Sequence, residues 1–398
     1  MQQKVIIIGV SFSSRLALAR SIGVLGYDIT IVAWSASHNA SKTVDGYSRY
    51  VSRVLFCQKE EQAFIQLLHE KCQDEYQKVI LVPDCDFSVS VIDKHQYELS
   101  THFCFPNIKH QQGAIVEWSD KEKQKELASK LGMNVAKSIT IDITNGEYVI
   151  PKSLTYPCFP KALASVSGGK AGMRKCENQA ELEYSLQEII KRKNLNTKVM
   201  IEDYMQIDKE YAVLGFSNGN SVSIPGVIRF IVGSRTQHGI ALQGKIMPIK
   251  GFEQMIGLFK QFILSIGFVG LFDIDFYKSN EKLYFSELNL RYGGSGYSVV
   301  KMGVNLPAMF VESLIGCGEI DMSREVMEEA VYTNERMCFN DLVNTYISPL
   351  EYIQYIRRSD ILFIEDDDDN RPYIAYKEML RRAILQYYPK KFLRWIKK

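Results

Sequence analysis

Apolar runs alternate along the chain in an order that predicts a mixed α/β protein. Residues 4–9 form an unbroken β-branched run ending on glycine, the pattern of a strand buried on both faces. Residues 13–25 have helical spacing with Gly26 as the stop, and 28–33 read as the next strand. This βαβ opening predicts a doubly wound, Rossmann-like sheet. A helix over 60–72 and a strand over 78–82 extend it. Residues 119–131 predict a helix with Ser119 and Glu122 as a capping box and Gly132 as its end. A helix over 179–191 and a strand over 199–204 follow. Antiparallel strands are predicted over 210–216 and 221–232, joined through Ser217-Asn218-Gly219-Asn220. An amphipathic helix over 252–266 ends at Gly267. Residues 306–314, and the charged segment from 321 onward, read as helical.

Between the helices predicted over 252–266 and 306–314 lies a segment of period two, 271–296, LFDIDFYKSNEKLYFSELNLRYGGSG. Strand side chains alternate faces, so Asp273 and Asp275 share a face, as do Glu287, Asn289 and Arg291. A three-residue loop at Ser279-Asn280-Glu281 sets Asp273 opposite Glu287 and Asp275 opposite Phe285. Acids gathered on a sheet face are costly unless a positive group lies among them. Hard carboxylate and amide oxygens suit Mg2+, which keeps waters and binds phosphates. The alternative is a solvated hairpin face.

Other stretches carry candidate chemistry. The first βα turn spells Gly9-x-Ser11-x-x-Ser14, two glycines short of a dinucleotide fingerprint, and no ribose-binding acid follows. A structural turn, or a loop touching a small substrate, fits it better. Pro83-Asp84-Cys85-Asp86 stands at the carboxyl end of a strand, where open α/β sheets bind ligands. Asp84 or Asp86 would there hold a substrate amine or cap a helix. Lys121 stands in a first helical turn, the unfavourable end of the dipole for a cation unless an anion is bound beside it. The loop 164–173, ASVSGGKAGM, offers backbone N–H groups to a phosphate or serves as a plain hairpin connection, and it lacks P-loop spacing. The acidic run 365–370 reads as a solvated loop.

Composition narrows the function classes. The chain has 398 residues, 46% hydrophobic and 24% charged, which is room for two or three domains of an ordinary globular protein. A net charge of +2 gives no electrostatic case for a nucleic-acid partner. Eight cysteines without a C-x-x-C pair, and histidines without ligand spacing, argue against zinc or a disulfide framework and for a reducing cytoplasm. The first apolar run is short for a signal peptide, and no membrane span is expected. From 378 to 398 seven basic residues accompany an apolar component. That tail reads either as a docked helix pair or as a peripheral contact with an anionic membrane.

Taken in order, these features resemble the ATP-grasp superfamily over roughly residues 1–315. The resemblance implies an α/β pre-ATP-grasp domain (1–118), a small lobe with a glycine-rich lid (119–198), a large lobe with the Mg/ATP site (199–320) and a helical C-terminal extension (321–398). Ser119-Asp120-Lys121 resembles the family's helix start, whose lysine meets ATP phosphates. Lys161 resembles the second phosphate lysine. Ser167, Gly168 and Gly169 lie in the segment resembling the lid. Glu202-Asp203-Tyr204-Met205 resembles the hinge, where Glu202 and the backbone of Asp203 and Met205 would read the adenine edge. Glu210 resembles the ribose-binding acid. Asp275, Glu287 and Asn289 resemble the magnesium ligands, with Asp273 as a possible substitute for Asp275. Arg291 resembles the arginine that steadies the transferring phosphoryl group, and Arg229 or Lys245 is a further phosphate candidate. The implied cofactors are ATP and Mg2+, with Mn2+ as a substitute.

The implied activity is a carboxylate–amine ligase acting through an acyl phosphate on small-molecule substrates. Its nearest subgroups are D-aspartate-ligase-like enzymes of cell-envelope building and carbamoyl-phosphate-synthetase-like modules. Two other functions remain open at this stage. One is a non-catalytic ATP-binding module, and the other is a nicotinamide-dependent oxidoreductase built on the first βαβ unit.

Overall fold

A computed structural model describes residues 2–35, 43–74, 76–163, 173–191, 198–237, 239–316 and 318–396, with the backbone alone for 145, 162 and 386–396. Strands β1 (Lys4–Gly9), β2 (Asp28–Trp34), β3 (Val51–Cys57), β4 (Val79–Pro83) and β5 (Phe103–Cys104) form a parallel sheet in the order 3-2-1-4-5. This is the doubly wound domain expected from the opening βαβ pattern. One face packs Ile6, Ile8 and Leu81 on Phe64, Leu68 and Phe103. The other packs Val5, Ile7 and Ile31 on Leu18 and Ile22, in a core that continues to Phe216, Phe310 and Tyr332. The sheet and the C-terminal half therefore share one apolar interior, and a shared dense core fixes their relative placement.

Two short strands, β6 (Asn107–Ile108) and β7 (Asn134–Val135), leave this domain to join a later sheet. Strands β8 (Ser138–Asp142), β9 (Cys158–Ala162) and β10 (Lys198–Asp203) make a small antiparallel sheet in the order 8-10-9. The helix Gln179–Lys191 covers it with Leu182, Leu186 and Ile189.

The large sheet contains β11 (Lys209–Asn218), β12 (Val222–Ser223), β13 (Val227–Gly233), β14 (Ala241–Met247), β15 (Phe268–Ser279), β16 (Lys282–Asn289), β17 (Ala330–Thr333) and β18 (Ile361–Leu362). Its order is 18-17-14-13-11-15-16-7, with β12 on β11 and β6 on β15. The segment after 321 thus contributes two strands as well as helices. Residues 365–370 are solvated only in part, with Asp367, Asp368 and Asn370 exposed. Asp366 and Asp369 are buried, and Asp369 receives Arg20, Ser48 and the Arg49 N–H from the first domain. Among the described residues no helix is long and apolar enough to cross a membrane. The basic tail rests largely on side chains outside those described.

The helix Glu253–Ile266 seats Phe259 and Phe262 on Phe276 and Phe285 of β15 and β16. One face of the hairpin is filled, so the other is left for its polar residues. The hairpin register differs from the sequence expectation. Ser279 pairs with Lys282, leaving a two-residue loop at Asn280 and Glu281, both with positive φ, as in a type I′ turn. That register alone would set Asp275 against Ser286. A bulge beyond Phe276↔Phe285 adds one residue, so Asp275 pairs with Glu287 and Asp273 with Asn289. The expected pairings of Asp273 with Glu287 and Asp275 with Phe285 are both corrected, while the shared face is kept.

Candidate active site

A cavity of about 560 Å³ opens between the small sheet and the large one. Lys161 and Glu202 line it from β9 and β10, Lys121 from the helix Lys121–Lys130, and Asp275 and Glu287 from the hairpin. Asp203, Tyr204, Met205 and Glu210 complete the side nearest the connection between the sheets. Residues drawn from segments far apart in sequence are thus brought to one space.

The helix Lys121–Lys130 is aimed by two contacts. Asp120 is its N-cap and accepts the N–H groups of Glu122 and Lys123 at 2.8 and 3.2 Å. The expected Ser119 capping box is not formed, because Ser119 Oγ turns back to the Ile115 carbonyl. Gln124 then bonds the backbone of Leu288 in both directions, each at 2.9 Å. Leu288 lies between Glu287 and Asn289, so this buried amide fixes the lysine-bearing helix to the acid-bearing strand. Lys121 Nζ lies 3.0 Å from Glu287 Oε1.

One turn further, Lys125 pairs with Glu202, and Lys161 reaches the other Glu202 oxygen at 2.7 Å. Burial alone would raise the Glu202 carboxyl, but the two lysines hold it below the usual range. Burial pulls Lys125 down, against the pull of Glu202. Lys125 was missed in the sequence, although its spacing of four from Lys121 puts both on one helix face. The Asp203 N–H is taken by the Lys137 carbonyl at 2.9 Å, and its carboxylate accepts from Thr155. Lys175 stands over the Tyr204 ring. Ser167, Gly168 and Gly169 lie outside the described residues.

Arg291 stands just past β16 and faces the first domain. Its Nε donates to Asp86 at 2.7 Å and its Nη2 to Asn289 Oδ1 at 3.3 Å, with Asp273 at 3.9 Å from Nη1. Burial would lower this guanidinium, but Asp86 and Asp273 raise it, so it stays charged. Burial pushes Asp273 up to about 6 despite Arg291. Neither Asp84 nor Asp86 caps a helix, since Cys85 occupies the N-cap and its side chain accepts none of the first N–H groups. Arg229 and Lys245 pair with each other and with Tyr211, in register with Phe276. Neither is among the residues that line the cavity.

Among the described residues no three His, Cys, Asp or Glu side chains form a metal cluster. The donor set still suits magnesium. Asp275 and Glu287 are direct cross-strand partners, and the Asn289 amide lies 3.4 Å from Asp275 Oδ2. Two carboxylates and an amide leave positions for water and phosphate oxygens, which Mg2+ prefers to an all-protein cage.

Residues 126–303 match the family model for the ATP-grasp domain. The carbamoyl phosphate synthase large chain of Campylobacter jejuni is 27% identical over 176 residues, 43% of this chain and 16% of that one. A formate-dependent phosphoribosylglycinamide formyltransferase of Prochlorococcus marinus is 21% identical over 262 residues, 62% of this chain and 65% of that one. The chain therefore spans about a sixth of the first relative's length and just under two thirds of the second's. Among solved structures, Staphylococcus aureus N5-carboxyaminoimidazole synthetase complexed with ADP superposes with a TM-score of 0.64 at 19% identity, covering 87% of this chain and 86% of that one. L-amino acid ligase of Bacillus licheniformis gives 0.61 at 15% identity, covering 83% and 79%. At these identities the superpositions speak to fold. With the family match and the lobes around the cavity, they establish that this chain carries an ATP-grasp domain and has the ATP-grasp fold.

Proposed function

We propose that the chain is an ATP-dependent ligase that joins a small-molecule carboxylate to an amine through an acyl phosphate. The observation that carries this reading is the single cavity in which Lys121 and Lys161 face the cross-strand pair Asp275–Glu287. Cations beside paired acids are what a metal–triphosphate complex requires.

A carboxylate is a poor electrophile. Its oxygen attacks the terminal phosphorus of ATP, ADP leaves, and an acyl phosphate remains. The amine then attacks the acyl carbon, phosphate departs, and the nitrogen loses a proton. Lys121 and Lys161 would offset the charge of the phosphates. Glu202, holding Lys125 and Lys161, would keep those ammonium groups in place, and with the backbone near Met205 would face the adenine edge. Glu210 would meet the ribose. Asp275, Glu287 and Asn289 would hold Mg2+, or Mn2+ in its place, which supplies Lewis-acid neutralisation of the phosphate oxygens. Arg291 would steady the phosphoryl group as it moves. Positioning and electrostatics account for most of such a reaction.

ADP release with a matched acid and amine tests the reading. Glu287→Gln is expected to cut that release by roughly a hundredfold or more. Unchanged activity would refute the magnesium assignment.

A further inference from the structure

The carboxyl edge of the parallel sheet, where β1 and β4 end side by side, holds two opposite charges that the nucleotide cavity does not use. Asp84 follows β4 directly and is 8% exposed. Its Oδ1 accepts the Val10 N–H at 3.1 Å, and its Oδ2 has no hydrogen-bond partner among the described residues. A Cβ at position 9 would stand 1.5 Å from Asp84 Oδ1, so glycine is what makes room for this carboxylate. A buried carboxylate oxygen without a donor is costly, and burial accordingly pushes Asp84 up to about 6, although Arg15 opposes the shift.

Arg336 reaches the same loop from the opposite side. It opens the helix Glu335–Val343, in the segment beyond the ATP-grasp match. Its guanidinium bonds Ser11 Oγ and lies over the Phe12 ring, 5.4 Å from the centroid. It is half-buried, and among the described residues no carboxylate lies within ion-pair distance of it. The neighbouring arginines differ. Arg15 is closed by Asp45 at 2.6 Å and the Gly9 carbonyl at 2.7 Å, and Arg291 by Asp86 at 2.7 Å. Burial and Arg15 lower Arg336, and the charges of Asp84 and Asp45 offset this only in part.

We infer that this edge binds the amine substrate and that this substrate is an α-amino acid, its ammonium on Asp84 Oδ2 and its carboxylate on Arg336. An α-amino acid carries both charges one carbon apart. A phosphate would satisfy Arg336 but face the Asp84 carboxylate, and a simple amine would leave Arg336 bare. Arg291 bonds Asp86, two residues beyond Asp84, so the edge adjoins the phosphoryl side of the nucleotide cavity. The inference rests on the ligase reading and names its amine.

The test is calorimetric binding to the full chain, with and without a non-hydrolysable ATP analogue and magnesium. The probes are L- and D-α-amino acids, each beside the amine that lacks its carboxylate and the hydroxy acid that lacks its ammonium. At least one amino acid is expected to bind roughly tenfold or more tightly than both of its truncated analogues. Arg336→Gln should bring that amino acid to the level of the amine, and Asp84→Asn to the level of the hydroxy acid. The wild-type analogue series stands even where a variant fails to fold. Equal binding of the bare amine, or ATP-analogue binding with no amino acid bound, overturns the inference. Amino-acid selectivity without any nucleotide binding leaves the subsite standing and removes the ligase reading.

Discussion

Asp275 faces Glu287 across β15 and β16 because Ser286 is one residue more than a plain hairpin holds. A one-residue slip turns every later side chain to the opposite face. Inserting an alanine between Ser286 and Glu287 should therefore turn Glu287 and Asn289 toward Phe262 and the helix Glu253–Ile266. A buried unpaired carboxylate costs several kcal/mol, so the melting temperature should fall and ATP–magnesium binding should vanish in calorimetry. Ser286→Ala keeps the residue count and should keep the register. Intact nucleotide binding in the insertion variant would show that this register does not set the site.

Glu202 is shared by Lys125 and Lys161, and it is buried. Lys125→Met leaves the carboxylate with a single partner and should cost about 3 kcal/mol by urea unfolding. Adding Glu202→Gln should recover part of that loss. The pH dependence follows from the lowered Glu202 carboxyl. An acid whose folded value is depressed contributes stability above its unfolded value, and the contribution disappears as pH falls through the folded value. The gap between wild type and Lys125→Met should thus be widest above about pH 5 and should close in more acidic solution.

Asp84 has the opposite sign. Its carboxyl is raised from 3.8 to about 6, so its charged form weighs against the folded state. The cost is absent below the unfolded value, grows as pH rises toward about 6, and is complete above it, at about 3 kcal/mol. Asp84→Asn should therefore stabilise the ligand-free chain at pH 8 and have little effect at pH 4. Chemical denaturation at the two pH values measures this. A loss of stability at pH 8 would mean that the carboxylate is already compensated.

Arg20 anchors the last segment to the first domain. It donates to the Asp369 carboxylate at 3.0 Å and to the carbonyls of Phe363, Ile364 and Asp369 at 3.1, 2.9 and 2.7 Å. Arg20→Met leaves a buried acid without its cation and three carbonyls without this donor, and should lower stability by about 3–5 kcal/mol. Limited proteolysis should then cut first near residues 363–370. A wild-type digestion pattern would contradict this anchoring role.

These residues also mark how far sequence could be read. The opening βαβ unit was legible because its strands are continuous β-branched runs with glycine stops. The hairpin acids were legible because alternation keeps them on one face under either register. The register itself was missed, although the apolar positions switch from odd (Leu283, Phe285) to even (Leu288, Leu290) where the bulge lies. Lys125 carried a signal in its spacing from Lys121 that went unused. Gln124 carried none, because its partner is backbone far along the chain. Asp366 and Asp369 looked solvated in an acidic run, and their cations, Lys301 and Arg20, come from remote elements. Burial of a charge through long-range pairing leaves no local pattern to read.

The central claim is that the cavity activates a carboxylate with ATP for attack by an amine. The most direct measurement is a coupled screen for ADP release over α-amino acids crossed with candidate carboxylates, with mass spectrometry of the products. ADP, phosphate and amide formed in equal amounts, only when one particular acid and one particular amine are both present, is the expected result. Tight binding of ATP and magnesium with no turnover across the whole screen would contradict it.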